Sequence, residues 1–303
     1  LRLMSLLSIL LPIEDKQVAV IYVQNPFTGR ISYMNPIEQF KSEVEKNVRG
    51  ISEDLIANKR TRDWIQSILP HQYTHNFSWM GRPVIQFPQD IMAVQEIIWE
   101  VRPDLIIETG IAHGGSLVMS ASFLSMLDYQ DALETGELLD PRKPKRKVLG
   151  VDIDIREHNR REIESHPMSP RIDMIQGSSI DGDVIARVHD LASKFDRVMV
   201  MLDSNHTHDH VLAELVAYAS LTTKGSYCLV FDTAIEDVPP HFSNDRPWGV
   251  GNNPKTAVWE YLDLCAAEEI RDLDGNTLNF EIDKAIEHKI LITAAPDGYL
   301  QRL

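Results

Sequence analysis

Two carboxylates stand at the ends of consecutive apolar runs: Asp203 in Met201-Leu202-Asp203-Ser204-Asn205-His206, and Asp232 in Val230-Phe231-Asp232-Thr233. Acids at neighbouring strand ends hold a hard divalent cation such as Mg2+, with substrate oxygens completing its shell. A cation there acidifies a bound hydroxyl, and His206, three residues after Asp203, is placed to take the proton. Asp203 and His206 are therefore the catalytic candidates. The competing reading is a polar substrate pocket without metal. A transition-metal site on His206 and His208 is disfavoured, because their spacing is not that of a helical i, i+4 pair and no H-E-x-x-H occurs. Asp209 is expected to cap the helix that follows, with His210 structural.

Upstream, Ile106-Ile107-Glu108-Thr109-Gly110-Ile111-Ala112-His113-Gly114-Gly115-Ser116 runs from an apolar strand into a helix. Glycines at such a junction let the chain turn sharply and approach a ligand, and the helix start offers free N–H groups. The spacing is G-x-x-x-G-G rather than G-x-G-x-x-G, and the lysine of a phosphate-binding loop is missing. Glu108 would repel a pyrophosphate and attract a cationic amino group or sulfonium. That charge favours S-adenosylmethionine over NAD, with Glu108, Gly110, Gly114, Gly115 and Ser116 as cofactor-binding candidates. A plain strand-to-helix turn is the alternative. Asp152, ending the next strand in Val151-Asp152-Ile153-Asp154, is assigned the ribose hydroxyls, and Asp154 the cap of the next helix. Ser178 and Ser179 close a third strand, where a small polar residue can meet the adenine edge. Ser179 capping its helix is compatible with that role.

The elements that must position these residues alternate from Pro88 onward. A helix at Pro88–Val101, with proline in its first turn, precedes short apolar strands at Leu105–Thr109, Val148–Asp152, Ile172–Gln176, Arg197–Asp203 and Ser226–Asp232. Helices fall between them at about 116–127, 156–165, 181–194 and 209–222, and another runs from Pro254 to about Glu269. Phe280–Ile286 and Lys289–Ala295 read as an antiparallel pair. The fold class is α/β: a doubly wound, mostly parallel Rossmann-like methyltransferase sheet with an antiparallel C-terminal hairpin and an N-terminal helical extension. Residues 1–87 are read as extension and helical cap, 88–303 as the Rossmann-like domain. One amphipathic helical stretch is expected from Ile37 to about Leu69, ahead of Pro70. Lys16–Val23 is read as an added strand. Leu1–Pro12 has a weak leader-like pattern without a small-residue cleavage site, and a peripheral extension is expected instead.

The 303 residues carry a formal charge of −15, which opposes non-specific binding to nucleic acid or anionic lipid. No apolar run approaches the ~20 residues of a membrane span. Cys228 and Cys265 lie in apolar segments and make no disulfide framework, so a cytoplasmic setting is expected. Asp140–Lys147, DPRKPKRK, is read as a solvated basic loop within an insertion at 131–147. The long stretch Ile235–Asn253 beside the metal edge is a candidate substrate lid. Trp248 and Trp79 are there either to stack on a substrate ring or to pack loops. Lys255 and Asn253 are candidates for positioning substrate, although capping the helix at Pro254 accounts for Asn253 without any function.

From about Tyr73 to Leu300 the chain resembles the cephalosporin hydroxylase family, about three quarters of its length. Phe77-Ser78-Trp79, Glu108-Thr109-Gly110, Gly114-Gly115-Ser116, Asp203-Ser204-Asn205-His206, Asn252-Asn253-Pro254-Lys255-Thr256-Ala257 and Pro296-Asp297-Gly298-Tyr299-Leu300 carry the likeness in order. Despite its name, that family has a methyltransferase-like Rossmann fold and is linked to O-methylation. More distantly the pattern is similar to the catechol O-methyltransferase type. That likeness implies metal binding by Asp203 and Asp232 and puts His206 where that type has a lysine base. Thr233 falls where it has a metal-binding asparagine, with Glu236 and Asp237 as other third ligands. Phe231 stands where the cephalosporin family can carry the first acid of a pair. The resemblance thus implies an S-adenosylmethionine- and divalent-metal-dependent O-methyltransferase of a small hydroxylated molecule, possibly a sugar or glycoside, acting as a homo-oligomer with no nucleic-acid or membrane partner. A metal-dependent oxygenase and a non-catalytic cofactor-binding module are the alternatives.

Overall fold

The computed structural model describes residues 6–13, 16–24, 31–33, 35–272 and 274–303, the first three segments by backbone pairing alone. Leu1–Ser5, part of the segment weighed as a leader, lie outside the described residues. Backbone contacts divide the chain into two units, 1–55 and 56–303.

In the first unit, β1 (Leu6–Ile13), β2 (Lys16–Gln24) and β3 (Ile31–Tyr33) form an antiparallel sheet, so the strand read at Lys16–Val23 is β2. α1 (Pro36–Glu53) follows, with Asn35 Oδ1 accepting the Ile37 N–H and proline in the first turn. The helical stretch expected from Ile37 to Leu69 is interrupted. Asp54 leaves helical geometry at φ −81°, ψ 89°, as a short acidic side chain tolerates, and α2 (Leu55–Ile68) starts afresh.

The second unit continues with the hairpin β4 (Phe77–Trp79) and β5 (Arg82–Val84), α3 (Pro88–Val101), β6 (Leu105–Thr109), α4 (Gly115–Thr135) and β7 (Lys147–Asp152). Next come α5 (Glu157–Glu164), β8 (Ile172–Gln176), α6 (Gly182–Ala192), β9 (Val198–Leu202), α7 (His208–Tyr218) and β10 (Tyr227–Val230). α8 (Pro254–Ala266), β11 (Phe280–Ile282), α9 (Lys284–Ile290) and β12 (Tyr299–Arg302) complete it. Seven strands lie in the order β11-β12-β10-β9-β6-β7-β8; β6 to β10 are parallel, and β12 runs antiparallel between β10 and β11. This is the mostly parallel, doubly wound sheet expected.

Both faces are covered, which is why the strands read as continuous apolar runs. Ile106, Val148, Met199, Met201 and Leu229 pack with α3 and α4 on one face. Their neighbours Leu105, Ile107, Leu149, Val200 and Val230 pack with α6, α7 and α8 on the other. Strand order reverses between β6 and β9, so the crevice at their carboxyl ends is the natural ligand site.

Two sequence expectations are corrected. The antiparallel C-terminal pair exists, but its second strand is Tyr299–Arg302, with Phe280 opposite Arg302. Residues 284–290 are helical because Asp283 Oδ1 accepts the Ala285 and Ile286 N–H groups and starts α9. Ile286 and Ile290 then reach the core at i, i+4 spacing, a pattern that a short apolar run does not distinguish from a strand. The basic run 140–147 is not wholly solvated. α4 extends to Thr135 and carries Asp128 and Asp131 to the buried Arg146, and Arg171 completes the cluster on Asp128 at 2.6 Å. Among the described residues, no helix is long and apolar enough to cross a membrane.

Candidate active site

The glycine loop and the first acid are built against each other. Gly110 turns at φ 90°, its N–H bonds Val151 O at 2.8 Å, and the Asp203 N–H bonds Thr109 O at 2.9 Å. A Cβ on residue 110 would lie 2.1 Å from the Asp203 carbonyl oxygen, so the close approach served by this glycine is to its own chain. Gly115 is likewise pressed on the Pro83 carbonyl, and Gly114, at φ 79°, on Ile163.

Asp203 leaves β9 and Asp232 leaves the adjacent parallel β10. Asp232 adopts φ 57°, a left-handed conformation that aspartate tolerates better than most residues. Between Asp203 and α7, Asn205 Oδ1 accepts the Thr207 N–H at 2.9 Å, folding a tight turn that presents His206. His206 Nε2 lies 3.3 Å from Asp232 Oδ2. Ligand atoms of Asp203, His206 and Asp232 all lie within 4.8 Å of one another, the spacing of groups around a common ion. Burial, reinforced by the negative charges of Asp232, Glu108, Glu214 and Asp90, pushes the Asp203 carboxyl well above the usual carboxylate range. Oxygen donors held among like charges in this way suit a hard divalent cation.

This group opens into a cleft of about 520 Å3 bounded by Gly110, Gly115 and Ser116 on one side and by Phe242, Arg246 and Trp248 of the 234–253 loop on another. The volume is that of an ordinary small-molecule site. Ser116 lines it, and the Ser116 hydroxyl donates to Glu108 Oε1, which lies behind it. Glu108 is 1% exposed, and its Oε2 has no hydrogen-bond partner among the described residues. Burial raises its pKa to about 8, against the lowering effect of the Ser116 bond.

The other predicted residues are placed as follows. Asp152 Oδ2 accepts the Ile111 N–H at 2.8 Å and the Ala112 N–H at 3.3 Å, tying the glycine loop to β7, while Oδ1 accepts the Asp154 N–H. Ser178 lies in the turn after β8, and the hydroxyl of Ser179 faces His210 Nε2 at 3.1 Å. Thr233 is fully buried, and its hydroxyl is engaged as a donor to Pro296 O at 2.6 Å. Glu236 accepts from Gly251 N–H and the Asn253 amide, and Asp237 pairs with Lys255 at 2.6 Å, so neither faces the pair. The third residue at the pair is His206.

Asp154, Ser179 and Asp209 do not cap their helices; Arg156, Asp181 and Thr207 hold those positions without side-chain caps. Asn253 does cap α8, in a reciprocal box with Thr256. Trp79 packs: its Nε1 donates to Ser122 Oγ at 2.9 Å, and its ring meets Phe123 edge-on.

Two buried acids near Asp203 escaped the sequence reading. Asp90, in the first turn of α3, accepts from Tyr299 OH at 2.7 Å and Ala294 N–H at 2.9 Å, and burial raises its pKa to about 6. Glu214 on α7 is fully buried and accepts from the Ser204 hydroxyl at 2.6 Å. Nothing local signals either: an acid in a first helical turn is ordinary, and Tyr299 is 209 residues from Asp90.

Residues 71–303 match the family described as rhamnosyl O-methyltransferase/CmcI. The chain belongs to this family. It is thereby placed among the O-methyltransferases, as the resemblance to cephalosporin hydroxylases implied. Rhamnosyl O-methyltransferase of Mycobacterium leprae (strain TN) is 27% identical over 228 residues, 74% of this chain and 82% of that protein. Its counterpart in Mycobacterium tuberculosis (strain ATCC 25618 / H37Rv) is 28% identical over 230 residues, covering 74% and 78%. Among solved structures, a Mg-SAM form of CmcI aligns with a TM-score of 0.47 at 16% identity, covering 76% of this chain and 77% of that one. The methyltransferase MycE of mycinamycin biosynthesis, in complex with Mg, SAH and mycinamycin VI, aligns at 0.41 and 15%, covering 92% and 78%.

Proposed function

We propose that this protein transfers a methyl group from S-adenosylmethionine to a hydroxyl of a sugar or glycoside, with a divalent cation, Mg2+ in the first instance, at the site. The observation that carries this reading is the convergence of Asp203, His206 and Asp232 in a cleft also bounded by the glycine loop, in a chain of this family. The relatives named as rhamnosyl O-methyltransferases support a deoxysugar acceptor.

When bound, the cofactor supplies an electrophilic methyl group and the cation supplies Lewis acidity at the acceptor hydroxyl. Asp203 and Asp232 would hold the cation, a role consistent with the crowding of negative charge around Asp203. His206 takes the hydroxyl proton on Nε2, and Asp232, 3.3 Å away, stabilises the imidazolium so formed. Ser116, Gly110 and Gly115 line the cofactor side, with Glu108 buried behind Ser116. Asp152 holds the ribose hydroxyls while fixing the glycine loop through Ile111 and Ala112, and Ser178 and Ser179 border the adenine. The remainder is positioning, which lowers the barrier by holding the reacting groups in line. A cytoplasmic, homo-oligomeric enzyme completes the proposal.

Calorimetric titration of S-adenosylmethionine, with and without Mg2+, into wild type, Asp152→Ala and Asp203→Asn tests it. Binding is expected in wild type, lost in Asp152→Ala, and insensitive to Mg2+ in Asp203→Asn. A folded wild type that binds no cofactor under either condition refutes the reading.

A further inference from the structure

The loop that ends at α8 is fastened to the loop that carries His206. Asn252 Oδ1 accepts the His208 N–H at 2.9 Å, and Asn252 Nδ2 donates to Pro247 O at 3.0 Å. Gly249 and Asn252 exchange backbone hydrogen bonds at 3.0 Å each, and Glu236 accepts the Gly251 N–H at 2.7 Å. One side chain thus joins the residue before Trp248 to the residue two after His206. The result is an aromatic contact: the rings of Trp248 and His206 meet edge to face, with centroids 4.8 Å apart and planes at 87°. Arg246 lies over the Trp248 ring at 5.5 Å. Nε2 of the His206 imidazole lies 3.3 Å from Asp232 Oδ2.

We infer that Trp248 is a positioning residue for the imidazole of His206, holding it in the orientation that faces Asp232 and the cleft, and that Asn252 keeps the two loops in register. The inference rests on the assignment of His206 as the proton acceptor. An imidazole free to rotate about two side-chain torsions populates the productive orientation only part of the time. An edge-to-face aromatic contact biases such an equilibrium by a few-fold to about tenfold. The contact involves only side chains of this protein, so NMR of the ligand-free protein can test for it. It also separates two roles for Trp248: a platform for the acceptor acts on acceptor binding, whereas a clamp on the base acts on turnover.

The first measurement is NMR of histidine-labelled, ligand-free protein, with the His206 signals identified by their absence in His206→Gln. Wild type is expected to show nuclear Overhauser contacts from the His206 ring to an indole and an aromatic ring-current shift. Both vanish in Trp248→Ala and weaken in Asn252→Ala although the indole is still present, whereas Trp248→Phe keeps the ring-current shift and shows its contacts to a phenyl ring. Absence of the contact in wild type, or its full retention in Asn252→Ala, overturns the inference. The second measurement is steady-state kinetics with S-adenosylmethionine, Mg2+ and p-nitrophenyl α-L-rhamnoside. Trp248→Ala is expected to lower kcat about tenfold with the acceptor KM within about twofold, and Trp248→Phe to restore most of kcat. A raised acceptor KM at unchanged kcat overturns the inference in favour of an acceptor platform. Failure of the rhamnoside to react, or full turnover in His206→Gln, counts against the proposed acceptor or the assigned base, and the NMR contacts then decide the inference alone.

Discussion

Glu108 offers a direct test of how the site is built, through Glu108→Gln. The carboxyl is buried behind Ser116, and burial lifts its pKa from 4.5 to about 8. The native state therefore keeps this proton where the unfolded chain has lost it. Its contribution to stability is fully present below pH 4.5 and is lost as pH rises toward 8, at about 1.4 kcal/mol per pH unit. Across the whole interval the loss is on the order of 5 kcal/mol, because ionisation would place a charge where one carboxylate oxygen has no partner. Glutamine keeps the shape and the acceptor for the Ser116 hydroxyl but has nothing to ionise. Urea unfolding of both proteins at pH 5.5 and 7.5 gives the comparison. The advantage of Glu108→Gln over wild type should grow by about 3 kcal/mol between the two. Asp90, with its pKa raised to about 6, titrates in both proteins and largely cancels in the difference. Parallel stability–pH curves for the two proteins would refute the argument that burial governs this carboxyl.

Other substitutions separate packing from chemistry. Gly110→Ala puts a methyl group 2.1 Å from the Asp203 carbonyl oxygen at a residue with φ 90°. It should lower the melting temperature by roughly 10 °C and weaken Mg2+ and cofactor binding together in calorimetry. Thr233→Val deletes the buried hydrogen bond to Pro296. It should cost about 1–3 kcal/mol in urea unfolding and leave Mg2+ affinity unchanged; a tenfold loss of that affinity would return Thr233 to the metal site. Arg146→Met leaves Asp131 and Asp128 short of a buried partner. It should cost about 3 kcal/mol by denaturation, although the basic run around it looks solvated.

Much of the architecture was legible because it rests on period and punctuation. Strands covered on both faces must be apolar throughout, so β6, β7 and β8 were found within one residue of their ends. Pro88, and Asn253 ahead of Pro254, marked helix starts by local hydrogen-bond and dihedral preferences that act over a few residues. The glycine loop and the two strand-end aspartates were legible for the same reason: their spacing to a strand end is local. Where a short apolar segment fits two periods, as at Ile286 and Ile290, only the packing partner on the core chooses between helix and strand.

The amino-acid order by itself determined that a parallel sheet would carry Glu108, Asp152, Asp203 and Asp232 at one edge, with His206 three residues beyond Asp203. Tertiary structure decided which of these share a cleft. It turned Thr233 to Pro296 and Asp237 to Lys255, left His206 beside Asp232, buried Asp90 and Glu214 near Asp203, and brought Trp248 to His206 through Asn252. Those outcomes depend on contacts between residues tens to hundreds of positions apart. Their energies depend on burial and charge in the assembled molecule, which no local spacing encodes.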